Sequence, residues 1–455
     1  MTLDGVKKVY LAGIGGSSMS SLAEILFNRG YSVSGSDMQN SATTERLSSL
    51  GIKVYIGHSE DNIKNECPEV IIRTDAVQEN NPEIAYALQM GIPVHRRAEL
   101  LGMILDGYKT PVGVAGTHGK TTTSGMIASI IAASGTDYSA IIGGKVKQLD
   151  SSYIIGREDN VCVFESCEYK DSFLSFFPSI AVILNAEYDH ADYFKDFDAY
   201  IASFKKYLDH ARGGAACVNF DSEGAVLASD GYCGELYSYG IENKNARIIA
   251  ENITFTNGRP EFDIIFDKKF FAHVKLSVFG MHNVYNTLAS AGVALACGIT
   301  DGEAFASSAH SFAGIKRRFE YRMSLNGAEI YDDYAHHPTE ITATLSAARK
   351  ICKGKLTVVF QPHTYSRTAA LLDDFASSLE NCDEAVIADI YPARETDTLG
   401  MSAELLAGKI PKGKYVGGFE KTAEYIKSIA APDDTVIIMG AGDVNKIIDI
   451  LSSAE

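Results

Sequence analysis

Val112-Gly113-Val114-Ala115-Gly116-Thr117-His118-Gly119-Lys120-Thr121-Thr122-Thr123 reads as a short apolar strand, a glycine-rich loop and the first turn of a helix. Glycines in such a loop let backbone N–H groups turn inward around phosphate oxygens at a helix start. Lys120 reaches the outer phosphates of a nucleotide, and the Thr121 hydroxyl suits Mg²⁺. The long spacing GxxxxGK[ST] fails, because Val114 stands where its first glycine belongs. The shorter GxxGKT holds through Gly116 and Gly119. Gly116, Thr117, His118, Gly119, Lys120, Thr121 and Thr122 therefore form a candidate phosphate cradle. The helix is expected over 121–133, with Gly135 just past its end.

Outward from this loop the same alternation repeats. Upstream, strands are expected at 9–13, 31–35, 69–72 and 92–95, with helices at 19–28 and 83–90 and a polar linker at 106–111. Downstream, strands fit 161–165 and 180–185. A β-rich insert spans 247–280 with Asn257-Gly258 as its hairpin turn, and an Ala-rich helix covers 284–297. After Arg317-Arg318-Phe319-Glu320 the pattern restarts, with strands at 329–333, 356–360, 385–390 and 436–439. Strands alternating with helices imply parallel βαβ units. The expected fold class is α/β, in three domains at 1–108, 109–321 and 322–455. Each is a mostly parallel doubly wound sheet, and the central one is a P-loop-like ATPase domain with a small antiparallel insert. The 455 residues agree with three units of roughly 150.

Charge and composition narrow the partners. The chain has 41 Lys+Arg against 58 Asp+Glu, so 41 − 58 = −17. That balance argues against a nucleic-acid partner, because a phosphate-backbone footprint needs a basic surface. No run of about 18 apolar residues is present, which argues against a membrane span. Met1-Thr2-Leu3-Asp4-Gly5-Val6-Lys7-Lys8 leads into a strand without a signal-peptide pattern. Eight cysteines stand singly, with no CxxC pair, and read as reduced thiols of a cytoplasmic protein. Nothing in the sequence sets an oligomeric state.

Further candidates cluster at strand ends, where open α/β sheets bind ligands. Gly13-Ile14-Gly15-Gly16-Ser17-Ser18, with Asp37 some 20 residues on, suits either NAD or the diphosphate of a UDP-sugar. Glu165 is placed to hold Mg²⁺ with Thr121, whereas Glu168 reads as part of a solvated acidic loop. Asp189-His190 follows the next strand, and His190 suits a second cation better than a first. Asn283 and Asn286 share one helix face with His282 nearby, fitting either a nucleobase or ribose or a helix cap. Asp332 to Glu340, Gln361 to Arg367 and Gly440 to Asp443 end three further strands. Their Arg and His residues suit anionic ligands.

Taken together, GIGG at 13–16, GTHGKTTT at 116–123, N-x-E-x-DH-x-DYF at 185–194, RRFE at 317–320, DDYAHHPTE at 332–340 and QPH-x-YSRT at 361–368 resemble the Mur ligases, in order and over nearly the whole chain. The resemblance implies an ATP-dependent, Mg²⁺-using amide ligase of peptidoglycan precursor synthesis. The activity it implies joins L-alanine to the carboxylate of UDP-N-acetylmuramate through an acyl phosphate. The alternative is a ligase adding a recycled murein tripeptide to the same nucleotide sugar. Carried over by motif, Gly13, Ile14, Gly15, Ser36, Asp37 and Arg97 would bind the UDP-sugar. Gly116 to Thr122, His282, Asn283 and Asn286 would bind ATP, with Arg318 and Asp332 closing over it from the third segment. Thr121, Glu165 and His190 would hold metal. Lys120, Glu165, His190, His336 and Arg367 would be catalytic. Four places depart from the family pattern: Ser18 replaces a glycine, Thr364 stands where many members carry Arg, Arg73 to Val77 replace a more Ser-rich loop, and Glu165 to Tyr169 replace a more acidic segment.

Overall fold

A strand covered by helices on both faces has no wet face, so it reads as a continuous apolar run and is buried along its length. The computed structural model describes residues 3, 5–148, 151–190, 193–211, 213–393 and 395–453. Met1, Thr2 and Asp4 of the leader, and Ala191-Asp192 of the 185–194 motif, lie outside the described residues. Among the described residues there are three sheets. The first is all parallel, in the order Lys53–Ile56, Ser32–Asp37, Lys8–Ala12, Val70–Arg73, Val94–Arg96.

The central sheet has ten strands. Its parallel core runs Glu235–Gly240, Ala215–Asn219, Ile180–Ile183, Thr110–Ala115, Val161–Ser166, Tyr138–Val146. Beyond Glu235–Gly240, Ile248–Thr256 pairs in parallel, Arg259–Phe266 pairs antiparallel with it, and Lys269–Lys275 pairs antiparallel with Arg259–Phe266. This is the expected insert, turning at Asn257 (φ 48°) and Gly258 (φ 73°). At the other edge Tyr138–Val146 pairs antiparallel with Ser151–Ile154, two strands that the sequence reading missed. The third sheet has six strands, parallel except for the edge strand Glu320–Leu325. That strand was also missed, because its largely exposed pattern reads as loop.

Register fixes where ligands can sit. Ala115 lies beside Ile183 on one side and beside Ser166 on the other. The phosphate loop therefore emerges between the segments that begin at Leu184 and at Cys167.

The stretch 106–111 is not a free linker. Tyr108 is buried and donates to Ser139 Oγ (2.9 Å), and Thr110 already belongs to the central sheet. One apolar cluster joins Leu101, Leu105 and Tyr108 to Phe173, Phe176 and Tyr207, so the first two domains share a core. Gly102 sits at that junction, where an added Cβ would overlap the Ser175 carbonyl oxygen. Gly102→Val is expected to lower the thermal midpoint through an overpacking cost of about 1–3 kcal/mol. An unchanged midpoint would refute this view of the junction. Among the described residues no helix is long and apolar enough to cross a membrane.

Candidate active site

The loop is shaped by its glycines. Gly116 (φ 147°) and Gly119 (φ 85°) adopt backbone that side chains rarely allow, and a Cβ on Gly116 would crowd Leu184 and Asn185. The neighbouring strand end braces the loop. His118 N donates to Asn185 Oδ1 (2.8 Å), and Thr117 Oγ1 donates to the Glu187 carbonyl (2.9 Å). Lys120 Nζ donates to the carbonyls of Gly116 and Thr117 and to Glu168 Oε2 (3.0 Å). Lys120 therefore folds back over its own loop.

Glu168 corrects the sequence reading. It is not in a solvated acidic loop but is 1% exposed, between Lys120 and His190 Nε2 (3.2 Å). Burial alone would raise its pKa, but the Lys120 charge and the His190 hydrogen bond hold it low. Burial likewise pulls Lys120 down, but the Glu168 charge and hydrogen bond together with the nearby Cys167 and Glu165 outweigh it, so the ammonium persists. Glu165 instead accepts from Gly143 N (2.6 Å). Thr121, Glu165, Glu168 and His190 line one cavity of about 680 Å³, together with Lys120, His336 and Arg367. Arg367 reaches Asp189 at 3.3 Å, which keeps that carboxylate well below the usual range against the burial that opposes it.

A second cavity, about 980 Å³, lies on the other side of the loop and is lined by His282, Asn283, Asn286, Asn185 and Asp221 among others. Asn286 donates to Asn283 Oδ1 (3.0 Å), and its Oδ1 lies where a Cβ on Gly119 would come to 3.1 Å. Gly119, Arg318 and Glu340 line both cavities, so the two meet at the phosphate loop.

Asp332 is a second correction. It is fully buried and held by Arg317 Nε (3.4 Å) and Arg322 (3.1 Å), and it lines neither cavity. Asp333, its neighbour on the opposite face, lines the larger cavity. Burial raises the Asp333 carboxyl to about 6. Glu340 was missed as well. It accepts from His336 N (3.0 Å) and lies 3.4 Å from His118 Nδ1 and 3.6 Å from Arg318. The available signal was spacing, since Glu340 falls one helical turn after His336.

In the first domain the glycine turn is stapled by Gly13 N and Ile14 N to the Ser36 carbonyl (2.8 and 2.9 Å) and by Gly15 N to Asp37 Oδ2 (2.9 Å). Ile14 is fully buried, and the Ser36 hydroxyl is spent on Glu83 (2.6 Å). Neither side chain presents itself to a ligand, contrary to expectation. Arg97 donates to Ser18 Oγ (3.0 Å), so the departing residue is itself a partner of a site candidate. Arg97 lines a small cavity of about 190 Å³ with Arg96 and Lys170, and Arg73, Arg96 and Lys170 line another of about 490 Å³. Thr364, another departure, caps the helix Tyr365–Ala370 through Arg367 N (3.4 Å) at φ 65°.

Two histidines at the loop set a pH dependence of stability. Burial pulls His118 down, but Glu187 and Glu340 outweigh it and raise it to about 9 from 6.5. Burial lowers His337 to about 4. A raised folded pKa gives stability that is complete below about pH 6.5 and lost towards 9. A lowered histidine makes the unfolded chain the better proton binder between 6.5 and 4, so stability falls there as pH falls. Thermal midpoints are expected to peak near neutrality, with an alkaline arm on the order of 2–3 kcal/mol. Glu187→Gln is expected to flatten that arm, and an arm of equal slope in the variant would contradict the assignment.

The family model "Mur ligase family, catalytic domain" matches residues 8–109, "Mur ligase middle domain" 114–294 and "Mur ligase, glutamate ligase domain" 317–442. The chain is 44% identical over 452 residues to the UDP-N-acetylmuramate–L-alanine ligase of Caldicellulosiruptor saccharolyticus, covering 98% of each. It is 44% identical to the enzyme of the same name from Acetivibrio thermocellus, covering 97% of this chain and 94% of that one. Among solved structures, the UDP-N-acetylmuramate–alanine ligase of Thermotoga maritima superposes with a TM-score of 0.81 at 25% identity, covering 98% of this chain and all of that one. A murein peptide ligase of Psychrobacter arcticus reaches 0.73 at 23% identity, covering 98% of each chain.

Proposed function

The chain belongs to the Mur ligase family, and from that membership we propose that it joins L-alanine to the carboxylate of UDP-N-acetylmuramate, converting ATP to ADP and phosphate. The relatives at 44% identity over nearly their full length carry this reading. The site's chemistry supports it. A carboxylate is a poor electrophile, and transfer of the γ-phosphoryl group makes it an acyl phosphate with a good leaving group. A carboxylate oxygen bonds to the γ-phosphorus as the bond to ADP breaks. The alanine ammonium gives up a proton, its free amine nitrogen bonds to the carbonyl carbon, the carbonyl–phosphate bond breaks and the second N–H proton leaves with the phosphate.

Each cavity suits one part of this sequence. The larger one, with His282, Asn283 and Asn286, is proposed to take adenine and ribose, with Arg318 closing over it. Gly116 to Thr122 is proposed to take the phosphates, with Lys120 neutralising charge on the group in flight. The cavity shared by Lys120, Glu168, His190, His336 and Arg367 is proposed to take the reacting carboxylate and the amino acid. The donors Thr121, Glu165 and Glu168 are hard oxygens that fit Mg²⁺, with His190 a nitrogen donor beside them. Bound there, Mg²⁺ would screen phosphate charge. For the first glycine turn, the Asp37 carboxylate that NAD would need for its ribose already holds Gly15 N, which favours the UDP-sugar. Arg73, Arg96, Arg97 and Lys170 supply positive charge nearby. The proposed location is the cytoplasm.

An acceptor panel tests the proposal. ADP release is expected to require UDP-N-acetylmuramate and L-alanine together, with a murein tripeptide unable to replace L-alanine. Release with tripeptide but not with L-alanine would overturn it.

A further inference from the structure

We propose that His118, Glu187 and His337 form a binding site for a transition-metal dication such as Zn²⁺, tying the phosphate loop to the third domain. One ligand atom from each of the three residues lies within 4.8 Å of the others. The His118 and His337 rings lie 4.5 Å apart between centroids, tilted by 40°. Two imidazoles and one carboxylate match the N₂O donor set of open zinc sites, with a fourth position left to water. Zinc–ligand bonds of about 2.0–2.1 Å put tetrahedral ligand atoms roughly 3.3 Å apart, so the side chains need to close by up to about 1.5 Å.

Two buried imidazole nitrogens point to a missing ligand. His337 Nε2 has no hydrogen-bond partner, an arrangement that protein interiors avoid, and His118 Nε2 has none either, facing only the Glu187 carboxylate at 3.5 Å. His337 is only 7% exposed. The groups behind the ligands are those that orient metal-binding side chains. Glu340 Oε1 stands 3.4 Å from His118 Nδ1, on the far side of that ring, and Thr339 Oγ1 donates to Glu187 Oε2 (2.8 Å). Glu187 is the half-exposed member and offers the entry path. The long contact from Thr339 N to His337 Nδ1 (3.4 Å) is the one bond that a metal on Nε2 displaces, because the ring proton then moves to Nδ1.

None of these three is among the proposed Mg²⁺ donors, and nitrogen donors select zinc or cobalt over magnesium. His118 and Glu187 come from the central domain and His337 from the helix Pro338–Arg349 of the third, whose N-cap it is. A bound dication would hold that interface shut.

The test is a titration of the metal-stripped full chain with Co²⁺ alone, in excess Mg²⁺, read by visible absorption and calorimetry. One equivalent is expected to give four-coordinate Co²⁺ bands without thiolate charge transfer, and Zn²⁺ is expected to displace it. His337→Asn keeps a capping side chain but removes the imidazole, and Glu187→Gln removes the charge. Each is expected to weaken binding at least tenfold, while His190→Ala leaves it unchanged. Circular dichroism verifies that the variants fold. Equal affinity in the folded His337→Asn variant, loss in His190→Ala, or a thiolate band from exposed Cys67 or Cys233 would overturn the site.

Discussion

Lys120→Ala is expected to lower the rate of ADP formation by about 10³-fold or more, the scale on which removal of an electrostatic stabiliser of a transferring phosphoryl group is felt. The ammonium is bound at both ends of its reach, to the Gly116 and Thr117 carbonyls and to Glu168. It needs only a small movement to meet phosphate oxygens entering the loop. Truncation has a second consequence, because Glu168 is left buried without its main counter-charge. Losing one partner of a buried pair costs about 3–5 kcal/mol. The thermal midpoint should therefore fall along with the rate. Lys120→Arg separates the two effects: the charge remains beside Glu168, but the planar guanidinium does not fit two backbone carbonyls and a phosphate at once. Near-native stability with turnover still reduced at least 10²-fold is the expected result, and native turnover would refute the role.

Glu168→Gln is expected to reduce turnover by about 10²-fold or more and to raise the Mg²⁺ concentration needed for half-maximal rate. Glu165→Gln is expected to cost only about tenfold, because its carboxylate already accepts from Gly143 N, a bond that the amide oxygen of Gln can keep. The contrast follows from burial. Glu168 is the acid that Lys120 and His190 share. A rate-versus-Mg²⁺ curve for each variant measures it, and a larger loss in Glu165→Gln would reverse the assignment in favour of the residue that the strand pattern alone suggested.

That contrast also marks where sequence reading stops. The phosphate loop was legible because its three parts are local: a buried strand, glycines at positive φ and a helix start. The insert hairpin was legible through Asn257-Gly258, and the three-sheet plan through repeated strand–helix alternation. Glu168 was not, because it follows the strand Val161–Ser166 and enters a turn with left-handed Lys170 and Asp171, so no periodicity says which way it points. Asp332 and Asp333 show the same limit on a strand. Successive side chains face opposite sides, and choosing between them requires knowing that Arg317 and Arg322 lie on one side and the cavity on the other. The contacts of His118 with Glu187, Glu340 and His337 join segments over 60 residues apart and appear only in the folded chain. The chain's −17 charge is consistent with two anionic ligands only because positive groups are concentrated locally, at Lys120, Arg318 and Arg367 around the central cavities and at Arg73 and Arg96 of the first domain with Lys170 of the central one beside them.

The most direct measurement is transfer of ¹⁸O from labelled UDP-N-acetylmuramate. With both carboxylate oxygens labelled and ATP and L-alanine supplied, the expected products are UDP-N-acetylmuramoyl-L-alanine and inorganic phosphate carrying one ¹⁸O. Unlabelled phosphate, or ADP formed with no alanyl product, would contradict ligation through an acyl phosphate.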